Sequence, residues 1–332
     1  MRILVTGACG FIGSHLVDQL AFSGHKDIVG IDDCSVGTER PPVATLMRGG
    51  VRKCLHALRH DADGFDAIYH LAARVGVGQV IRDPLRMLEE HVRDGLAIIK
   101  AAERWHARLL FTSTSEVYGD SAAPPFAEMD TMRIGPPEVA RSGYAVSKAF
   151  LEAAVIAASR QRGVPAVVVR LFNVTGPRQR ALLGCVVPTW AKATLSGETI
   201  AVHGGGQQTR CFTHVTDAIS ALIALMGSQE ATGHVVNIGQ DSPITIRQAA
   251  EDLTTYCRTT YGVPGLIEHV PFTALDPQAG WERMHIRVPD VQRLAQFTGL
   301  RFTNRWPEIV RETCDYWAAK LGVKKIGGVD AG

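Results

Sequence analysis

Tyr144 and Lys148 lie four residues apart in a helical pattern, so their side chains project from one face of the helix. A phenol ordinarily titrates near about 10. A neighbouring ammonium and a cationic hydride acceptor would both stabilise its phenolate, which would let Tyr144 take a proton from a hydroxyl as hydride leaves the same carbon. This spacing alone more often marks an ordinary helix surface. Thr114 adds weight, because it stands at the end of an expected sheet strand, where its hydroxyl could bond the same oxygen.

A hydride acceptor needs a seat, and TGACGFIG offers one. Gly7, Gly10 and Gly13 follow a first strand directly and open a helix at Phe11 and Ile12. Glycines here permit a tight turn and close approach of the backbone to a pyrophosphate, while the helix N-terminus supplies amide donors. A second strand ends in Asp32, about 20 residues on, where a carboxylate binds adenosine ribose hydroxyls and repels a 2′-phosphate. NAD is therefore expected rather than NADP.

The elements that must position these groups alternate. RILVT (2–6), DIVGID (27–32), AIYHLA (67–72), RLLFTSTS (108–115) and PAVVVRLFN (165–173) read as buried strands, and 11–24, 84–105 and 144–161 carry apolar residues at helical spacing. Strand and helix in alternation predict an α/β fold: a Rossmann-type doubly wound parallel sheet with a smaller C-terminal substrate-binding lobe. Residues 1–175 form the expected NAD-binding domain, with 205–240 partly rejoining it through HVVNIG; 176–204 and 241–325 form the lobe, and 326–332 a flexible tail.

Composition excludes several classes. A formal charge of +2 over 332 residues lacks the concentrated basic surface of nucleic-acid binders. No stretch approaches the roughly 18 apolar residues of a membrane span, and the amino terminus lacks the layout of a signal peptide, so no membrane partner and a cytoplasmic location are expected. Seven cysteines without paired spacing argue against a disulfide framework or a structural metal.

TGACGFIGSHL, HLAARVGV, TSTSEVYGD, YAVSK, RLFNVTGPRQ, GGGQQTRCFTHVTD and VVNIG, in that order, resemble the extended short-chain dehydrogenase/reductases, specifically their nucleotide-sugar epimerases, dehydratases and decarboxylases. The resemblance implies Tyr144 as base, Lys148 as its modulator and ribose ligand, Thr114 as hydroxyl partner, and Leu71, Ala72 and Ala73 beside the cofactor. It also implies a homodimer through the 84–105 and 144–161 helices. Oxidation at sugar carbon 4 is common to the group. Ser115 stands where a 4,6-dehydratase carries an aspartic acid, and a hydroxyl is a poor general acid, so dehydration is disfavoured.

Thr114, Ser115 and Glu116, with Arg287 in GWERMHIRVPDV (280–291), instead look like UDP-glucuronate decarboxylases. ARVGVGQVIRDP is closer to 4-epimerases, and a 4-epimerase of a UDP-hexose or UDP-hexuronate stays open, as does a catalytically silent NAD-binding sensor. His91 occupies a helix position where many relatives carry Asn. Asn173, Arg178, Arg210 and Arg287 are the expected ligands of a UDP-sugar's diphosphate and its surroundings, with Val202 beside the base or else packed into the lobe.

Overall fold

A computed structural model describes residues 1–36, 43, 45–61, 63–119, 124–182, 184–271 and 285–326. Seven strands make one wholly parallel sheet: β1 (Ile3–Thr6), β2 (Ile28–Asp32), β3 (Thr45–Arg48), β4 (Ala67–His70), β5 (Arg108–Thr114), β6 (Ala166–Leu171) and β7 (Val235–Ile238). Their order is β7-β6-β5-β4-β1-β2-β3. The chain starts in the middle, winds to one edge and then to the other, which puts the switch point beside β1 and β4.

Successive strand residues face opposite sides of the sheet, and the core divides accordingly. Ile3, Val5, Tyr69 and Val167 pack on one face against α1 (Phe11–Phe22) and the Val215–Gly227 helix. Leu4, Ile68, Phe111 and Val168 pack on the other against α2 (Val51–Ala57), α3 (Pro84–Trp105) and α4 (Ala140–Arg162). With both faces covered, central strands become continuous apolar runs. All seven residues of β5 are buried.

A third core belongs to the smaller lobe. Trp190, Ile200, Val202, Leu253 and Trp306 join the helices Val186–Leu195, Ile246–Tyr261 and Trp306–Leu321. Within the expected 241–325 lobe, the Gln292–Thr298 helix packs instead on the main domain, with Leu294 in the first sheet-face core. Of the 280–291 motif, 280–284 lie outside the described residues, as do 327–332 of the expected tail.

Among the described residues, one ion pair is wholly internal. Arg170 on β6 and Glu152 on α4 meet at 2.7 Å with side chains only 2% and 3% exposed, and Glu152 also accepts from Ser113. Arg170 lies over the Tyr118 ring at 4.7 Å. Removing one partner strands the other charge away from water. Glu152→Ala should therefore lower the unfolding free energy in urea by about 3–5 kcal/mol.

Candidate functional site

A cavity of about 630 Å³ opens along the carboxyl ends of β1, β2 and β4, and all eleven residues expected around the cofactor line it: Gly7, Gly10, Phe11, Ile12, Gly13, Asp32, Leu71, Ala72, Ala73, Tyr144 and Lys148. Gly7 sits at φ +75, in the left-handed region that favours glycine, and a Cβ there would meet the Ala72 nitrogen at 2.9 Å. No side chain caps α1 at Gly10, so its first amides face the cavity as donors. Asp32 lines the same space, its two oxygens accepting the backbone N–H of Cys9 (2.9 Å) and Cys34 (2.7 Å). An uncapped helix terminus, a glycine turn and a carboxylate in sequence suit pyrophosphate and ribose.

At the inner end, α4 presents Tyr144 and Lys148 one turn apart. The Tyr144 phenol is hydrogen-bonded to Thr114; burial and the Glu116 carboxylate push it above the ordinary tyrosine value, and the Thr114 bond draws it back. The Lys148 ammonium donates to the Thr112 carbonyl (2.8 Å), and burial lowers it to about 8. The cationic nicotinamide of a bound cofactor would supply opposing charge.

Behind the phenol lies a chain of neutral bonds. His91 Nε2 accepts from the Arg74 backbone N–H (2.9 Å), which leaves Nδ1 to carry the proton toward Ser147 Oγ (3.0 Å), and Ser147 Oγ donates to the Tyr144 carbonyl (2.8 Å). The imidazole meets the Tyr144 ring edge-on at 5.7 Å. Burial and the nearby Lys148 charge lower it to about 3, so His91 stays neutral. The substituent that departs from the common Asn thus ties the loop after β4 to α4.

Past Thr114 the chain enters a short 3-10 turn, Ser115–Tyr118, which directs Ser115 and Glu116 beyond the sheet edge. Arg287 reaches Ser115 Oγ at 3.4 Å and Glu116 Oε1 at 3.5 Å from its own short strand, Ile286–Arg287. Arg210 pairs with Arg287 in register and is also buried, its guanidinium donating to the His285 carbonyl at 3.4 Å. Asn173, at φ +36, is stitched to this region through Thr213 N–H to its carbonyl (3.2 Å).

Sequence reasoning missed Arg141. Its Nε donates to Glu116 Oε2 at 2.8 Å, with a second bond from the same guanidinium to Oε1. The available signal was its position three residues before Tyr144, on the same helix face. Burial would raise the Glu116 carboxyl, but Arg141 and Arg287 overcome it and hold it at about 2. The pairing therefore stabilises the fold above the ordinary carboxyl value of 4.5, and that contribution disappears as pH falls toward 2. Urea unfolding should show Glu116→Gln less stable than wild type at about pH 6, with the gap closing progressively in acid.

Two expected substrate contacts lie elsewhere. Val202 is fully buried in the lobe core, because its strand, Ile200–His203, turns alternate residues inward; only its neighbours Ala201 and His203 face out. Arg178 lines the dinucleotide cavity and pairs with Asp18 on α1 at 2.6 Å, so it stands on the cofactor side.

The model of the NAD dependent epimerase/dehydratase family matches residues 3–239. The chain belongs to that family. NAD is accordingly its cofactor, which the glycine turn and Asp32 suit, and the chain is an NAD-dependent enzyme of that family. It is 31% identical over 328 residues to a UDP-N-acetyl-alpha-D-glucosaminuronate decarboxylase of Bacillus cytotoxicus, covering 95% of this chain and 97% of that one. UDP-glucuronic acid decarboxylase 1 of Xenopus tropicalis is 32% identical, covering 96% of this chain and 73% of that protein. Among solved structures, a UDP-N-acetylglucosamine 4-epimerase of Methanobrevibacter ruminantium, in complex with UDP-N-acetylmuramic acid, superposes with TM-score 0.83 at 25% identity, over 96% of this chain and 98% of that one. The Thermotoga maritima UDP-glucose 4-epimerase with UDP-glucose shares the fold at TM-score 0.84 and 24% identity, over 97% and 100%. No helix among the described residues of this family member is long and apolar enough to cross a membrane.

Proposed function

We propose that the enzyme decarboxylates a UDP-linked uronic acid, UDP-glucuronate first, to a UDP-pentose. The observation that carries this reading is Glu116 held between Arg141 and Arg287 beside the Thr114–Tyr144 pair. NAD, held by the glycine turn and Asp32, would supply reversible hydride acceptance at sugar carbon 4. Tyr144 takes the carbon-4 hydroxyl proton, Thr114 fixes that oxygen, and Lys148 holds the cofactor ribose and sets the local charge. Asn173 and Arg210 bind the diphosphate end, while Arg287 stays with Glu116 on the sugar side.

Oxidation makes a β-keto acid. The electrons of the breaking bond to the carboxylate flow into the ketone, carbon dioxide leaves, and a proton must reach carbon 5. A uronate carboxylate entering beside Glu116 competes for its two arginines and adds a like charge, and both effects raise the Glu116 carboxyl. Glu116 therefore takes up a proton as substrate binds and delivers it to carbon 5, with Ser115 orienting the carboxylate. Tyr144 returns its proton to the carbon-4 oxygen as hydride comes back. An uncharged hexose would leave this arginine clamp without work, which favours a uronate substrate over a hexose.

The test is product analysis with UDP-glucuronate, UDP-N-acetylglucosaminuronate and UDP-glucose in parallel. Carbon dioxide with a UDP-pentose from the first is expected. Inverted carbon 4 with the carboxylate retained would replace this reading by epimerisation, and gas only from the acetamido substrate would reassign the sugar.

We also infer a homodimer and a cytosolic site of action. Seven free cysteines support the second. Leu96 on α3 and Val146 and Phe150 on α4 support the first, since these large apolar side chains lie exposed on two packed helices, Phe150 at 49%. Phe150→Glu should convert dimer to monomer in light scattering while leaving the fold intact.

A further inference from the structure

The dinucleotide cavity carries chemistry that hydride transfer does not use. Cys9 stands inside the glycine turn, between Gly7 and Gly10, and Cys34 follows Asp32 by two residues. Their sulfurs lie 3.8 Å apart. Asp32 accepts both backbone amides, so one carboxylate holds the two thiol-bearing residues side by side. Cys34 takes φ +57, a left-handed conformation unusual for a residue with a side chain. Among the described residues, Cys9, Asp32 and Cys34 are the one set of three His, Cys, Asp or Glu residues whose ligand atoms all lie within 4.8 Å of one another.

Access separates this pair from another. Cys257 and Cys314 are closer, at 3.5 Å, but both are sealed in the small-lobe core, where an oxidant cannot reach. Cys34 is only partly buried, whereas Cys9 beneath it is 2% exposed. We propose that Cys9 and Cys34 form an oxidation site at which a peroxide joins them as a disulfide, and that the linked enzyme binds NAD more weakly than the dithiol.

The chemistry balances in two steps. Cys34 sulfur attacks the peroxide; an S–O bond forms, the O–O bond breaks, and one water leaves as Cys34 becomes a sulfenic acid. Cys9 sulfur then attacks Cys34 sulfur; the S–S bond forms, the S–O bond breaks, and hydroxide departs with the Cys9 proton as a second water. Two thiols are oxidised by two electrons and one peroxide is reduced. Burial and the Asp32 charge push the Cys9 thiol up to about 12, which suits it to second place rather than to first attack.

A disulfide requires about 2.05 Å between sulfurs, so the pair must close by roughly 1.8 Å. That movement drags the turn. Cys9 lines the cavity, and the turn around it has little room, because even a single carbon added to Gly7 or Gly13 would lie within 2.9 Å of neighbouring backbone. Closing the pair therefore displaces the amides and the Asp32 carboxylate that hold pyrophosphate and ribose. By linkage, bound NAD opposes the same closure.

The full-length enzyme should be treated with graded hydrogen peroxide, with and without NAD, then alkylated and peptide-mapped, with NAD affinity measured by calorimetry. The expected result is a Cys9–Cys34 linked peptide whose formation NAD slows. NAD affinity should fall at least about tenfold and recover with dithiothreitol. Cys34→Ser should form no such peptide and keep its NAD affinity after peroxide. Absence of the linked peptide in wild type, or a linked enzyme that binds NAD as tightly as the reduced one, would overturn the proposal. So would zinc carried stoichiometrically by the resting protein and lost in Cys34→Ser, since that would make the pair a metal site.

Discussion

Tyr144→Phe should lower turnover by about 10²–10⁴-fold while leaving NAD affinity nearly unchanged. The ring is held by contacts that the substitution keeps: the edge-on imidazole of His91 and the backbone bond from Ser147 to the Tyr144 carbonyl. Only the oxygen is lost, and with it the hydrogen bond to Thr114. Because burial and Glu116 raise the resting phenol, the wild-type activity should need the cofactor's positive charge to bring proton transfer into the working pH range. Steady-state turnover and a fluorescence titration of NAD, run on the same preparations, separate the two effects. A sensor that had lost its chemistry would show no difference between the two proteins.

Gly13→Ala should weaken NAD binding by more than about tenfold and destabilise the fold by about 1–3 kcal/mol. A Cβ at position 13 would sit 1.9 Å from the Gly7 carbonyl oxygen and 2.8 Å from its carbon. The turn cannot retreat, because a movement of Gly7 meets the backbone at Leu71 and Ala72. The helix must shift instead, and its first amides then miss the pyrophosphate. Gly227→Ala is the control, since nothing lies within 4 Å of its added carbon. Isothermal titration with NAD and urea unfolding of both variants provide the comparison.

Much of this site could be read from the chain because its parts are local. The Gly7, Gly10 and Gly13 turn is complete within one strand-to-helix junction, and Tyr144 and Lys148 share a face through helical periodicity alone. The burial of β5 is signalled only by its apolar stretch Leu109, Leu110 and Phe111; Arg108 and the hydroxyl residues Thr112, Ser113 and Thr114 are buried with it. Local order also made Asp32 recognisable, since it closes the strand next to the turn.

What folding had to decide is every pairing between distant segments. Arg141 became the main partner of Glu116 only when α4 packed beside the end of β5, and nothing in ARSGYAVSK names a carboxylate 25 residues upstream. Val202 turned inward because the lobe core claimed that side of its strand, and Arg178 turned to Asp18 because its loop crosses α1. Cys9 and Cys34 met because β1 and β2 are neighbours in the sheet. Side-chain periodicity runs along a chain and can be counted there; charge pairing and thiol contact run across it, and their partners exist only once the backbone has closed.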